Sequence, residues 1–184
     1  MVREIDEIDV QIIKELQEDG RITLVDLARK VGLTHPTVRE RILKLLRDNY
    51  MKIQANINYK QLGLLMALVC IELENASDAI TLMGCLEKCA RIPIVAVTAG
   101  TYNMFAIVIA EDPDTLHSVI EMCIRSRRGV KRMNISYVRL LKPEFLPIRI
   151  IDSGKHECKT ECEDCEFLKK EICRGCGSAL KEQR

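Results

Sequence analysis

The last stretch of the chain holds its densest set of reactive side chains: His156-x-Cys158-x3-Cys162-x2-Cys165-x7-Cys173-x2-Cys176-Gly177. In each CxxC pair, both thiolates can face one point across a tight turn. Four soft, negatively charged sulfurs around one ion suit tetrahedral Zn2+. Cys173-Arg174-Gly175-Cys176-Gly177 resembles a zinc knuckle, in which the glycines let backbone N–H groups turn toward sulfur. His156 and Cys158 exceed a four-ligand site. Cys158, Cys162 and Cys165 with Cys173 or Cys176 therefore also admit an iron–sulfur cluster. An unmetallated tail is the remaining reading, and disulfides require oxidising conditions. The segment is too small to hold a core unaided, so bound metal would supply folding energy. Cys70, Cys85, Cys89 and Cys123 sit among apolar residues, where a free cysteine behaves as a small hydrophobe.

A second set is cationic. The formal charge of +1 hides strong patterning: residues 1–20 carry two bases and seven acids, residues 21–60 nine bases and three acids. Residues 61–150 come to +1 and residues 151–184 to −1. On a helical projection, Val38, Ile42 and Leu45 share one face, and Thr37, Glu40, Lys44 and Arg47 lie opposite, with Arg39 and Arg41 on the flanks. His35 stands at the helix N-terminus, the end that enters the major groove when such a helix reads DNA. The candidate contacts to double-stranded DNA are His35, Thr37 and Glu40 to base edges and Arg21, Arg39, Arg41 and Lys44 to phosphates. Thr34, at the start of the helix, joins them. The alternative is a merely solvated charged face, but the one-sided sign and the spacing of helix breakers favour DNA.

Three helices must position these side chains. Ile5, Ile8, Ile12 and Leu16 recur at three- and four-residue steps and predict an amphipathic helix, stopped by Asp19-Gly20 with Gly20 as a left-handed cap. Thr23 starts a second helix with a capping box to Asp26, and Leu24, Leu27, Ala28 and Val31 form its buried stripe. Gly32 ends it. Thr34 caps a third helix with Pro36 in its first turn. Residues 50–60 look extended. Beyond them Leu65–Leu73 reads as a strand, Ala79–Cys89 as a helix, and Ile94–Ala99 and Met104–Ala110 as strands joined by Gly100-Thr101-Tyr102-Asn103. A helix from Pro113 to Ile124 and a strand from Val130 to Leu141 complete βαββαβ, a ferredoxin-like α+β order. The domains are thus 1–50, a helix-turn-helix; 51–61, a linker strand; 62–151, the βαββαβ unit; and 152–184, the cysteine-rich, zinc-knuckle-like tail. The core is aliphatic: the chain has 21 isoleucines and no tryptophan. No apolar stretch reaches the ~18–20 residues that span a bilayer, and the charged N-terminus lacks a signal peptide's apolar run. A reducing cytoplasm is the expected setting.

The stretch from Ile5 to Leu45 resembles the N-terminal domain of the Lrp/AsnC (feast/famine) transcription regulators. The carriers are Ile5-Asp6, Asp9, Gln17 to Arg21, Leu27-Ala28, Val31-Gly32-Leu33-Thr34, Val38 and Arg41-Ile42. The likeness continues through Leu62-Gly63, Gly100-Thr101-Tyr102 and Gly129-Val130. It implies a sequence-specific DNA-binding regulator that assembles as homodimers and larger homo-oligomers through an effector-sensing βαββαβ domain. It also implies a small effector, commonly an amino acid, bound near Gly100, Thr101, Tyr102 and Asn103. Two departures matter. Asn103 stands where the family usually has Asp, and Asn49-Tyr50 replaces the usual Gly after the third helix, which predicts a stiffer hinge. On the residues alone, Gly100–Asn103 is also explained as a plain hairpin turn. The basic run Arg125, Arg127, Arg128, Lys131 and Arg132 reads as a solvated face or one that pairs with acids across a subunit interface, with added DNA contacts in a wrapped assembly as the alternative.

The competing class is an enzyme. Siroheme decarboxylases are similar to these regulators in both halves, and Tyr102-Asn103-Met104-Phe105 resembles their YN-x-F segment. His117 is the sole histidine of the βαββαβ unit, which supplies a tetrapyrrole site poorly.

Overall fold

Asp6 opens the first helix, accepting the Asp9 N–H at 2.8 Å, and α1 runs Glu7–Glu18. Its apolar residues at three- and four-residue spacing point Ile12 into a core shared with α2 (Leu24–Val31) and α3 (His35–Arg47). That core is Ile12, Leu27, Ala28, Val38, Ile42 and Leu45. Our computed structural model describes residues 5–149 and 165–174. The chain divides into two compact units between Ala55 and Asn56.

The turns of the first unit follow the sequence in part. Thr23 accepts the Asp26 N–H at 3.1 Å, as a capping box requires, and its hydroxyl donates to the Asp26 carboxylate at 2.7 Å. Gly32 ends α2 at φ +69, with its N–H on the Ala28 carbonyl. Gly20, in contrast, is not left-handed. Asp19 caps α1 in an extended conformation and its carboxylate takes the Arg21 N–H at 2.8 Å, so the turn closes without a positive φ. Thr34 precedes α3 but makes no side-chain cap; its hydroxyl pairs instead with that of Thr37 at 2.8 Å. After α3 the chain turns on Asn49 at φ +57, with the Asn49 N–H on Leu46 O at 3.2 Å and the Tyr50 N–H on Leu45 O at 3.0 Å. Asparagine fills the left-handed position that glycine usually takes.

The second unit is built on four antiparallel strands: β2 (Leu65–Leu73), β3 (Ile94–Val97), β4 (Met104–Ala110) and β5 (Val130–Tyr137), in the order β3-β4-β2-β5. This is the ferredoxin-like split βαβ expected from element order. Period-two alternation sends Val69, Ile71, Ala106 and Val108 to one face. There they pack with Leu82 and Leu86 of α4 (Ala76–Leu86) and Leu116 and Ile120 of α5 (Pro113–Ile120). The helix after β4 continues as a π-helical stretch over Glu121–Arg125. The opposite face carries Met66, Ile107 and Ile109, which pack with Tyr59, Leu64, Leu146 and Ile148.

Several boundaries move. Helix α4 starts three residues earlier than its apolar pattern predicts, because Asn75 accepts the Asp78 N–H at 3.1 Å. The expected linker strand reduces to β1 (Ile57–Asn58), which pairs with β6 (Phe145–Leu146). The final strand stops at Tyr137 rather than Leu141. Of the tail, only residues 165–174 are described, including α6 (Glu166–Lys169). Cys158, Cys162 and Cys176, like His156, lie outside the described residues.

Candidate nucleic-acid interface

The cations of the first unit sort into two groups once their partners are known. Arg29 pairs with Asp26 at 3.1 Å, and Lys30 on α2 pairs with Glu15 on α1, a hydrogen bond that raises the lysine's pKa. Arg41 donates to Asp6 at 2.7 Å and to Asp9 at 2.8 Å. The Asp9 side chain is only 1% exposed. Hydrogen bonds to these two carboxylates raise the Arg41 pKa further above its ordinary range. Arg41 is therefore a strut between α1 and α3, not the phosphate contact that the projection of α3 alone suggested: a buried acid on the neighbouring helix claims it.

The other group faces outward. Arg21, Arg39 and Lys44 form no ion pair among the described residues, and Arg47 meets only its neighbour Asp48, at 3.6 Å. His35, Thr37, Arg39 and Glu40 are exposed along α3, and Arg21 is exposed just before α2. The first turn of α3 holds no acid. Its N–H groups and partial positive charge stay available to an anion beside those cations. Thr34 and Thr37 are both exposed, with their hydroxyls joined. Lys52, which the sequence reading passed over, is another exposed cation without an ion pair among the described residues; only its position beyond the helix hid it. Together these groups set cations before, along and beyond α3, an arrangement suited to a polyanion with readable edges.

The hairpin between β3 and β4 is closed from within. Thr98 donates its N–H to Asn103 O at 3.0 Å and its hydroxyl to Tyr102 O. Gly100 adopts φ +125. Asn103 turns away from the loop: its Nδ2 donates to Leu73 O at 3.0 Å and its Oδ1 accepts the Leu73 N–H at 2.9 Å. The amide thus bonds the end of β2 as a backbone group would. Of the predicted effector contacts, Gly100 and Thr101 are exposed and Tyr102 half-buried. A separate cleft of about 510 Å³, lined by Tyr59, Leu64, Met66, Tyr137 and Arg139 among others, touches none of the predicted site residues.

In the tail, Cys165 caps α6 and Cys173 follows its last turn, both half-buried and unoxidised. No group of three potential metal ligands occurs among the described residues. The basic run after α5 is engaged within the unit: Arg125 meets Glu121 at 2.7 Å, and Lys131 meets Glu72 at 2.9 Å. The hydrogen bond from Lys131 holds the Glu72 carboxyl below its usual range, against the opposing effect of burial. Among the described residues, no helix is long and apolar enough to cross a membrane.

With this geometry in view, comparison with known proteins is specific. The AsnC-type helix-turn-helix domain matches residues 5–46. The leucine-responsive regulatory protein of Rhizobium meliloti is 38% identical over 114 residues, 59% of this chain and 72% of that protein. The HTH-type transcriptional regulator FL11 of Pyrococcus abyssi is 32% identical over 128 residues, 69% of this chain and 84% of its own. A Neisseria meningitidis transcriptional regulator, solved in complex with L-methionine, superposes with a TM-score of 0.66 at 19% identity, covering 76% of this chain and 93% of that one.

Proposed function

The chain belongs to the Lrp/AsnC family of DNA-binding transcriptional regulators, and on that premise we propose how its parts divide the work. Helix α3 enters the major groove with His35, Thr37 and Glu40 at base edges, while Arg21, Arg39 and Lys44 hold phosphates. The observation that carries this reading is the set of cations before and along α3 without ion pairs among the described residues, Arg21 and Arg39 exposed and Lys44 half-buried in its last turn. Gel shift on the protein's own upstream region tests it. Salt-sensitive, sequence-specific binding that weakens in Arg39→Ala and Lys44→Ala supports the assignment. Absence of any specific complex would sink it.

The relatives are regulators, and the protein is a regulator rather than an enzyme. In the second unit we read Gly100, Thr101 and Tyr102 as the lip of a site for a small effector such as an amino acid. Asn103 shapes that lip through Leu73 rather than touching the ligand. The relatives' names point the same way, one being leucine-responsive and another solved with L-methionine. Calorimetric titration with the twenty amino acids decides it; twenty silent titrations leave a plain hairpin. The sheet face bearing half-buried Leu68, Cys70 and Phe105 is only partly covered by the β1–β6 ribbon. We assign it to homodimer contact, with higher homo-oligomers beyond, in the cytoplasm.

The cysteine tail we read as a metal site built from Cys158, Cys162, Cys165, Cys173 and Cys176, four of which hold Zn2+. What supports this is the donor chemistry, soft thiolates in two CxxC pairs. An iron–sulfur cluster is the other occupant compatible with those donors. Metal analysis and a visible spectrum of protein purified without oxygen separate the two: colourless with one zinc per chain, or brown with broad absorption.

A further inference from the structure

Helix α3 does not present to water the side chains that its charge pattern alone suggests. Its core line is Val38, Ile42 and Leu45, each buried. Lys44 is half-buried, whereas Leu43 beside it is 52% exposed. Of the valine, isoleucine and leucine residues of α3, Leu43 is the one left in water. At about 100° per residue, Pro36, Glu40, Leu43 and Arg47 form the line opposite the core, and all four are exposed.

The middle of that line is an acid and an apolar side chain, three residues apart and so on adjacent turns. Neither suits a phosphate. The Glu40 carboxylate has no ion pair or hydrogen bond among the described residues, although Arg39 precedes it and Lys44 follows one turn on. Leu43 lies outside the apolar cluster of the first unit and outside the residues packed on it. Against a duplex, phosphates repel a carboxylate unless a base donates to it. The major groove offers two amino donors, cytosine N4 and adenine N6. Adenine N7, an acceptor beside N6, opposes a second carboxylate oxygen, so cytosine is the better partner. The one apolar group in that groove is the thymine C5 methyl. Three residues of helix rise about 4.5 Å, between one and two base-pair steps of about 3.4 Å.

We propose that Glu40 and Leu43 select the DNA sequence as a pair: the carboxylate accepts from a cytosine N4 amino group, and the leucine packs on the C5 methyl of a thymine within two base pairs. This inference rests on the reading of α3 as the helix that enters the major groove. The cations hold any duplex, and these two side chains supply the choice between duplexes.

The test uses the full chain and a library of randomised duplexes. The parent selects a C·G pair within two base pairs of a T·A pair, and Glu40→Ala loses about tenfold of its discrimination for cytosine. Each thymine of the selected site is then replaced in turn by deoxyuridine, which removes only the methyl group. At one position this weakens the parent about fourfold, the effect of one buried methyl, and leaves Leu43→Ala unmoved. Both side chains are exposed and outside the core, so both variants keep the fold. An unchanged cytosine preference in Glu40→Ala, or a methyl effect equal in Leu43→Ala and the parent, overturns the pair and leaves α3 as the DNA-binding helix. A parent chain that selects no sequence overturns the reading of α3 in the groove, and the pair with it.

Discussion

The Arg41 guanidinium on α3 lies 2.8 Å from the Asp9 carboxylate on α1, and that carboxylate is sealed from solvent. A buried acid needs its cation, whereas a phosphate contact needs its arginine free. Arg41→Ala should therefore lower the stability of the first unit by about 3 kcal/mol, since it takes the guanidinium away from a buried carboxylate. Denaturant titration measures this. A variant as stable as the parent, with weakened DNA binding alone, would return Arg41 to the phosphate contacts. Replacing both partners, Asp9→Leu with Arg41→Met, should recover most of the loss.

Arg39 and Lys44 should behave in the opposite way. Neither has an ion-pair partner among the described residues, so alanine at either position leaves stability within about 0.5 kcal/mol. DNA affinity should fall for all sequences alike, and the slope of log K against log salt should shrink by about one per residue. Fluorescence anisotropy over a salt series reads both quantities. A loss confined to the specific site would mean that these side chains read bases.

Asn103→Asp restores the residue that the family usually carries, yet here it should destabilise. The amide both gives and takes a hydrogen bond at Leu73. A carboxylate keeps the bond from Leu73 N–H but sets negative charge against Leu73 O. The expected cost is about 1–3 kcal/mol by thermal or urea unfolding. An Asn103→Asp variant of parental stability that gains amino-acid affinity would instead place this position in the effector site.

What the sequence disclosed depends on how local each signal is. Gly32 was legible because a left-handed turn after an amphipathic run favours glycine, and the βαββαβ order because apolar strand runs and helical runs follow one another along the chain. Gly20 misled because Asp19 closes the same kind of turn with its side chain. The Arg41–Asp9 strut joins residues on different helices, and a projection of one helix cannot show what its neighbour presents. Strands β1 and β6, of two residues each, acquire their identity only by pairing across the whole second unit. Arg174 was visible only as the filler of a CxxC pair, until its contact with α5 gave it a partner.

Asn49 makes the hinge after α3 testable. At φ +57 it occupies a region where a side chain costs about 1–2 kcal/mol unless it is asparagine or aspartate, which tolerate it. Asn49→Gly should leave stability unchanged or slightly raised, and Asn49→Val should lower it by about 1–2 kcal/mol. Parallel denaturation curves at one pH compare the three chains. Equal stability of the valine variant would show that the turn re-forms without a left-handed residue.

Asp112 gives the second unit an acid-sensitive contact. Burial pushes its carboxyl up, but the Thr115 N–H and hydroxyl and the Arg174 charge outweigh burial and hold it below the ordinary aspartate range. A carboxylate with a folded-state pKa below its unfolded value, about 3.9, adds stability above that value. The contribution is lost as pH falls through the lower, folded value. Asp112→Ala should thus cost about 1 kcal/mol at pH 7, the usual loss for a helix cap. The gap between parent and variant should narrow steadily below about pH 4 as the parent's carboxylate takes up its proton. Urea unfolding of both chains from pH 7 down to pH 3 records the gap. A gap that stays constant across that range would mean that the cap acts through shape and not through charge.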